Sequence, residues 1–312
     1  MATGSASTID GLARPISFAA RYGAGVRRGV CLGGGGLYFV AWQTGYLHAA
    51  AQAGIDLAQA DRFVGTSAGS VVATALSGGH LGRLHAQVSG LSKFPAALRA
   101  LAPSQSLRPS QQRALDLFRS AQDAEPETIR CIGFAALAAV TPDPSRMRAN
   151  LQLVLQVREW PSPALHVTCV DAYTGERCVI TQDSGIRPAR AAAASSAVPG
   201  LFAPQPIGDR RCMDGGVSGS GTHLDLLAGA GSVLVLSLTD GSADLASQMT
   251  VAAGNIQREC AALEASGTRV MLRFPNPVDP ETLMSPESVP AALADGAAQA
   301  LQDLHQLRDL WG

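Results

Sequence analysis

The sequence predicts an α/β protein built as a three-layer α/β/α sandwich around a mainly parallel central sheet. Two consecutive strand–turn–helix units carry this prediction: apolar runs at 29–32 and 62–64 each lead through a glycine-containing turn into helical periodicity. Successive units of this kind give neighbouring parallel strands with helices packed on the sheet. Later strand-like runs at 165–170, 232–238 and 268–274 extend the same sheet.

The elements follow in order along the chain. The first helix carries apolar residues from Leu37 to Ala51 and is closed by Gly54, and the second carries 71–76 and ends at Gly78. The strands at 165–170 and 177–181 are predicted to pair. A helix at 189–197, a helix from Leu245 to Leu263 and one terminal helix from Leu293 to Trp311 complete the pattern.

Polarity and proline content divide the chain into an arm and a domain that contains an insertion. Residues 1–28 are polar and predict an irregular N-terminal arm, and 29–312 predict a single domain. Within it, proline-interrupted helical pieces at 84–158 predict a helical insertion that caps the sheet. Its apolar residues are candidates for lining a substrate mouth, although such residues are more often core: Phe94, Leu98, Leu101, Leu117 and Phe134.

Composition excludes several classes of protein. The 312 residues are 46% hydrophobic and 16% charged, which argues against disorder and coiled coil, and a net charge of −1 argues against nucleic-acid binding. No apolar run reaches the ~18 residues that span a bilayer, and the first 28 residues lack a signal-peptide pattern, so a cytoplasmic protein is expected. At most, Arg14, Arg21, Arg27 and Arg28 of the arm would touch a membrane surface weakly.

The six cysteines contain no C-x-x-C pair and lie mostly in apolar settings. We therefore expect reduced thiols that pack as small hydrophobes, with neither a disulfide framework nor a zinc site. They are Cys31, Cys131, Cys169, Cys178, Cys212 and Cys260.

Ser67 lies in a G-x-S-x-G pattern, Gly65 to Gly69, between an apolar strand and an apolar-periodic helix. A nucleophile elbow needs such a sharp strand-to-helix turn, with small flanking residues, to project the serine hydroxyl. The ordinary alternative is a strand-to-helix turn in which the serine caps the helix. Context alone leaves these two interpretations about equal.

Four consecutive glycines, Gly33, Gly34, Gly35 and Gly36, follow the first strand. They lack the lysine of a phosphate-binding loop, and Tyr38 stands where a dinucleotide fingerprint needs its third glycine, so nucleotide binding is not expected. Unobstructed amides at a helix start instead form an anion cradle, and beside a nucleophilic serine such a cradle is an oxyanion hole.

Asp214 ends a short apolar stretch and is followed by Gly215 and Gly216. An aspartate before two glycines usually marks a turn. The catalytic alternative is a general base, with the glycines leaving room for a serine to approach.

Together these pieces resemble the patatin-like phospholipases, whose signature is a G-G-G-x-R/K-G loop, then G-x-S-x-G, then D-G-G/A. The segment 194–204 is similar to the A-S-x-A-x-P stretch that precedes the aspartate in that family. The resemblance implies a patatin-like fold, Ser67 as nucleophile, Asp214 as base and the amides of 33–36 as oxyanion hole. It also implies an acyl ester or lipid substrate, with no metal and no cofactor. The glycine loop departs from the family pattern: it lacks the basic residue, and Phe39 stands at the glycine position.

Three alternatives stay open at this level. An α/β-hydrolase triad would join Ser67 and an aspartate to His305 or His223, although His305 falls in a helical stripe. An acyl-carrier transferase shares the G-x-S-x-G pattern but normally has histidine where this chain has Thr66. A catalytically degenerate scaffold that binds lipid or a protein is the third. One sequence does not reveal the oligomeric state.

Overall fold

A computed structural model describes residues 12–91, 93, 106–240 and 254–312, and it confirms the predicted α/β architecture. A mixed sheet carries helices on both faces. Its eight strands are β1 (Arg28–Leu32), β2 (Arg62–Thr66), β3 (Leu165–Asp171), β4 (Arg177–Ile180), β5 (Gln205–Ile207), β6 (Arg210–Asp214), β7 (Ser232–Leu236) and β8 (Arg269–Arg273).

The α-helices of the described ranges follow the predicted order, with further members in the insertion. They are α1 (Gly36–Gln52), α2 (Ala68–Ser77), α3 (Leu81–Leu91), α4 (Pro109–Ser120), α5 (Pro126–Ala138), α6 (Pro144–Leu155), α7 (Pro188–Ser195), α8 (Asn255–Ala265), α9 (Val289–Gln302) and α10 (Leu304–Trp311).

Five strands are parallel, in the order β3-β2-β1-β7-β8. The predicted pairing of β3 with β4 is confirmed and is antiparallel, over residues 167–170 of β3. Because β4 occupies that edge, β2 and β6 must share the opposite edge of β3. There β2 pairs with 165–168 and β6 with 169–171. The ends of β2 and β6 therefore meet along one strand.

The core on one face of the sheet is dominated by α1 and its contact with α9. Phe39, Trp42 and Tyr46 stack in sequence, with ring centroids 5.4 and 5.3 Å apart. The two helices touch backbone to backbone, because a Cβ on Gly45 would lie 2.1 Å from the Leu293 carbonyl oxygen. Burial of such large aromatic side chains is a major source of stability. The opposite face is covered by α8 and, beside β3 and β6, by α5.

The prediction of a single terminal helix is wrong, because the helix is interrupted at Asp303 and forms α9 and α10. The Asp303 carboxylate accepts hydrogen bonds from the Tyr46 hydroxyl at 2.9 Å and from Arg273 Nε at 2.8 Å. This anchored residue lets α9 pack on α1 while α10 packs on β7. The start of the helix predicted from Leu245 lies outside the described residues, and its described part begins at Asn255.

The described part of the N-terminal arm is joined to the sheet, rather than being irregular throughout. Val179 of β4 donates its N–H to the Leu12 carbonyl oxygen at 2.7 Å, and Arg177 donates to the Pro15 carbonyl oxygen at 2.7 Å. The Arg177 guanidinium also forms a buried bidentate pair with Asp225, at 2.6 and 2.8 Å. Residues 12–17 are thus fastened to the domain by a desolvated ion pair.

In the insertion, the prolines begin helices instead of merely interrupting them. Pro109, Pro126 and Pro144 each stand in the first turn of a helix, where a missing N–H costs nothing. Of the candidate lining residues, Leu117 is 45% exposed and Phe134 is 55% exposed, so neither is core. The remaining three, Phe94, Leu98 and Leu101, lie outside the described residues.

Candidate active site

Ser67 lies at a strained turn between β2 and α2, with φ 52° and ψ −121°. A non-glycine residue held in this region costs on the order of 1–3 kcal/mol, and such strain clusters at functional sites. Its side chain makes no capping hydrogen bond to the helix, which speaks against the simple N-cap interpretation. The Gly69 position requires glycine, because a Cβ there would lie 1.9 Å from the Leu32 carbonyl oxygen. Gly65 is similarly crowded, with Ser70 Cα 2.7 Å away.

A second serine holds the backbone of the turn. The Ser67 amide donates to Ser195 Oγ at 2.8 Å, and Ser195 is fully buried at the end of α7. In the sequence, Ser195 is only one residue of the family-like segment 194–204, and nothing there indicates this contact. This hydrogen bond orients the strained peptide. The Ser67 hydroxyl is therefore not needed to hold the turn.

Asp214 ends β6 beside this turn, because Thr66 pairs with Thr168 and Asp214 pairs with the next residue, Cys169. Its Oδ1 atom accepts the Gly216 N–H at 2.9 Å, so the aspartate also stabilises its own turn. Its Oδ2 atom is buried and has no hydrogen-bond partner in the described part of the chain.

The protonation of Asp214 is shifted toward the neutral pH range. Burial raises its pKa to about 6, and the Gly216 amide and the Ser67 side chain oppose that rise. The Ser67 side chain therefore lies near enough to this carboxylate to lower its pKa. Gly215 permits the approach, because a Cβ there would lie 2.8 Å from Thr66 Cγ2. A buried carboxylate with a raised pKa beside a strained serine is a candidate acid–base pair.

The glycine loop lies directly against the serine. A Cβ on Gly34 would lie 3.1 Å from Ser67 Cβ, so any larger residue would press on the Ser67 side chain. Two of the four loop amides donate to backbone carbonyl groups. Gly33 N–H donates to the Leu236 carbonyl oxygen at 2.9 Å, and Gly34 N–H donates to that of Gly221 at 3.3 Å.

The amides of Gly35 and Gly36 have no protein acceptor within the described residues. They stand at the start of α1, where the helix dipole adds positive potential. Phe39 does not obstruct them, since its side chain is fully buried and stacks on Trp42. The ring packs behind Gly35, where a Cβ would lie 2.6 Å from Phe39 Cβ. Phe39, which stands where the family pattern has glycine, thus belongs to the core.

A buried glutamate supports the glycine loop from behind. Glu259 on α8 accepts the Thr222 hydroxyl at 3.1 Å and the Leu224 N–H at 3.0 Å. These bonds fix segment 220–224, whose Gly221 carbonyl holds Gly34. Sequence reasoning missed this role. A glutamate among the apolar positions of a predicted helix could have indicated it.

Two histidines follow Asp214 in the chain, His223 and His305, and neither is bonded to it or to Ser67 in the described residues. His305 has an 88% exposed side chain on α10 and pairs with Asp309 at 3.3 Å. His223 is buried, and its Nδ1 atom lies 3.3 Å from Arg177 Nη1. Burial, and then Arg177, hold the pKa of His223 well below its usual range. Neither ring forms a hydrogen bond with Ser67 or Asp214 in the residues the structure describes.

The sheet with helices on both faces defines an α/β protein, in which a strained serine and a buried aspartate lie at the ends of neighbouring strands. The model of the patatin-like phospholipase family matches residues 30–227. The chain belongs to this family, whose members act on lipid acyl groups. No curated protein matches the sequence significantly.

Two solved structures are similar to the chain. One is the type III effector protein ExoU, at 18% identity and TM-score 0.33, covering 89% of this chain and 53% of that one. The other is VipD from Legionella pneumophila, at 15% identity and TM-score 0.39, covering 96% and 69%. The chain spans about half the length of ExoU. Among the described helices, none is long and apolar enough to cross a membrane.

Proposed function

We propose that the protein hydrolyses carboxylic esters of lipids through an acyl-Ser67 intermediate, with Asp214 as the base. One observation carries this proposal: Ser67 is held in a strained elbow beside the buried Asp214 carboxylate, whose pKa burial raises to about 6 while the Ser67 side chain opposes that rise. Near neutral pH such a carboxylate is ionised, and its pKa lies close enough to the operating pH for proton transfer in both directions.

In the acylation half, Ser67 Oγ attacks the ester carbonyl carbon while its proton passes to Asp214. The negative charge that develops on the carbonyl oxygen is received by the amides of Gly35 and Gly36 at the start of α1. A single such donor is typically worth ~3–4 kcal/mol of barrier. The tetrahedral intermediate collapses, the ester C–O bond breaks, and the alcohol leaves with the proton from Asp214.

In the second half, a water molecule attacks the acyl-Ser67 carbonyl and gives a proton to Asp214. Collapse releases the fatty or other carboxylic acid and returns the proton to Ser67 Oγ, which restores the resting enzyme. The position of His305, exposed and paired with Asp309, supports a dyad over a histidine triad. The burial of Phe39 in the core supports an active site over a degenerate one.

A serine-reactive fluorophosphonate tests the proposal. We expect covalent labelling of the wild type at Ser67 and none in Ser67→Ala. Ser77→Ala is the matched control, because Ser77 lies on α2 and makes only a local bond to the Thr74 carbonyl oxygen. A folded wild type that stays unlabelled and cleaves no p-nitrophenyl ester of any chain length overturns the proposal. Activity over a series of chain lengths then distinguishes a long-chain lipase cleft from an esterase.

A further inference from the structure

Three cysteines that are far apart in sequence converge inside the sheet. Cys169 on β3 pairs in register with Cys178 on β4, and Cys212 on β6 pairs with Asp171, two residues after Cys169. Residues two apart on a strand share a face, so all three thiols project to the same side. Their Sγ atoms lie within 4.8 Å of one another, and all three residues are fully buried.

The spacing suits one ion at the centre of the triangle. A metal–thiolate bond of ~2.3 Å in trigonal geometry places the sulfur atoms about 4.0 Å apart. The observed limit of 4.8 Å therefore requires a contraction of less than 1 Å. The three cysteines are not joined by a disulfide. Rotation of their side chains can therefore bring the sulfur atoms this much closer.

The surroundings set the charge that the site tolerates. Arg210 Nη1 donates to Cys178 Sγ at 3.5 Å. Through its Nε atom, the same guanidinium lies 4.0 Å from the Asp171 carboxylate. A metal binds thiolates and not thiols, so three sulfur ligands require all three thiol protons to leave. The adjacent guanidinium offsets part of the negative charge that the three thiolates then carry.

The ligand set selects the metal. Thiolates prefer soft ions, among which Cu(I) accepts three-coordinate geometry, whereas structural zinc is almost always four-coordinate. Among the described residues, no fourth histidine, cysteine or carboxylate joins the three thiols. The Asp171 carboxylate is taken by its own turn, where it accepts the Tyr173 N–H at 3.1 Å and the Thr174 hydroxyl at 3.3 Å.

We propose that Cys169, Cys178 and Cys212 form a binding site for one cuprous ion, held by three sulfur ligands within the sheet. The site adjoins Asp214, because Cys169 pairs with Asp214 in register, but it does not depend on the hydrolase proposal. The site could not be predicted from the sequence, because the spacings 169–178 and 178–212 match no metal motif. Only the pairing of β4 and β6 with β3 brings the thiols together.

The test is an anaerobic titration of the reduced full-length protein with Cu(I) against a chromogenic cuprous chelator. Cys131→Ser is the control, because Cys131 is exposed on α5. We expect one high-affinity ion per chain in the wild type and in Cys131→Ser. In Cys178→Ala and Cys212→Ala we expect affinity at least about 100-fold lower, since each loses a direct ligand.

X-ray absorption on the copper-loaded wild type makes the test independent of how the variants fold. Three sulfur ligands at about 2.3 Å support the site. Two sulfur ligands, or nitrogen and oxygen ligands, overturn it. Failure of the wild type to compete with the chelator, or equal binding by folded Cys178→Ala, also overturns it.

Discussion

Replacing Asp214 with asparagine should make the folded protein more stable while it removes the proposed base. In the native state the pKa of Asp214 is about 6, against 3.8 for an unperturbed aspartate. Below pH 3.8 the folded and unfolded states both hold the Asp214 proton, and the carboxyl group does not lower the free energy of unfolding. Between 3.8 and 6 the unfolded state gives up its proton first, so stability falls as pH rises.

Above about pH 6 the loss of stability caused by the buried Asp214 charge is constant. A difference of ~2.2 pH units corresponds to about 3 kcal/mol of free energy of unfolding. Asparagine has no charge to desolvate and keeps an Oδ1 acceptor for the Gly216 N–H. At pH 8 we therefore expect Asp214→Asn to be about 3 kcal/mol more stable than the wild type. For a chain of this length that is a rise in Tm of about 4–5 °C, and at pH 4 the two proteins should melt almost together.

The assay is thermal unfolding followed by circular dichroism at the two pH values. Asp225→Asn is the matched control, because Asp225 is equally buried but is paired with Arg177 at 2.6 Å. Removing that charge strands a buried guanidinium, which should cost roughly 3–5 kcal/mol at pH 8. The two variants should thus shift Tm in opposite directions. An Asp214→Asn protein that melts at or below the wild type at pH 8, with no difference between pH values, refutes the reasoning.

Three further predictions concern catalysis. The kcat for ester hydrolysis should rise with pH and reach half its plateau near pH 6, because only ionised Asp214 accepts the Ser67 proton; a profile flat from pH 5 to 8 contradicts this. Gly34→Ala should lower kcat by about 10²-fold, because its Cβ would press on Ser67 Cβ at 3.1 Å. Gly82→Ala, a glycine on α3 with open space around it, should leave kcat unchanged. Loss of the exposed side chain in His305→Ala should leave activity within about twofold of the wild type; a large loss would instead restore the histidine triad.

Turn chemistry explains why the site could be predicted so far from sequence. Ser67 and the glycines around it mark a tight strand-to-helix crossing, and Gly215 marks a close approach to Thr66; both are steric requirements that only glycine meets. Asp214 could be selected because its local setting is unusual. The strands and helices flanking these turns followed from apolar periodicity, which the burial of the core enforces.

What the sequence could not provide is the partner of each backbone group and the direction of each side chain. Gly33 and Gly35 are identical residues in one run, yet one amide is bonded to Leu236 and the other is not. Phe39 could face the cleft or the core, and only the packing of α1 decides. The break at Asp303 likewise depends on Tyr46 and Arg273, which are distant in sequence.

The single strand β3 has a consequence for how the protein acquires its site during folding. Ser67 and Asp214 are separated by 147 positions (214 − 67), and they meet only because β2 and β6 dock end to end on one edge of residues 165–171. Contacts of such long sequence separation form late, after local helices and turns. The proposed catalytic pair is therefore absent from partly assembled chains, and recovery of ester hydrolysis on refolding should lag behind recovery of helical signal.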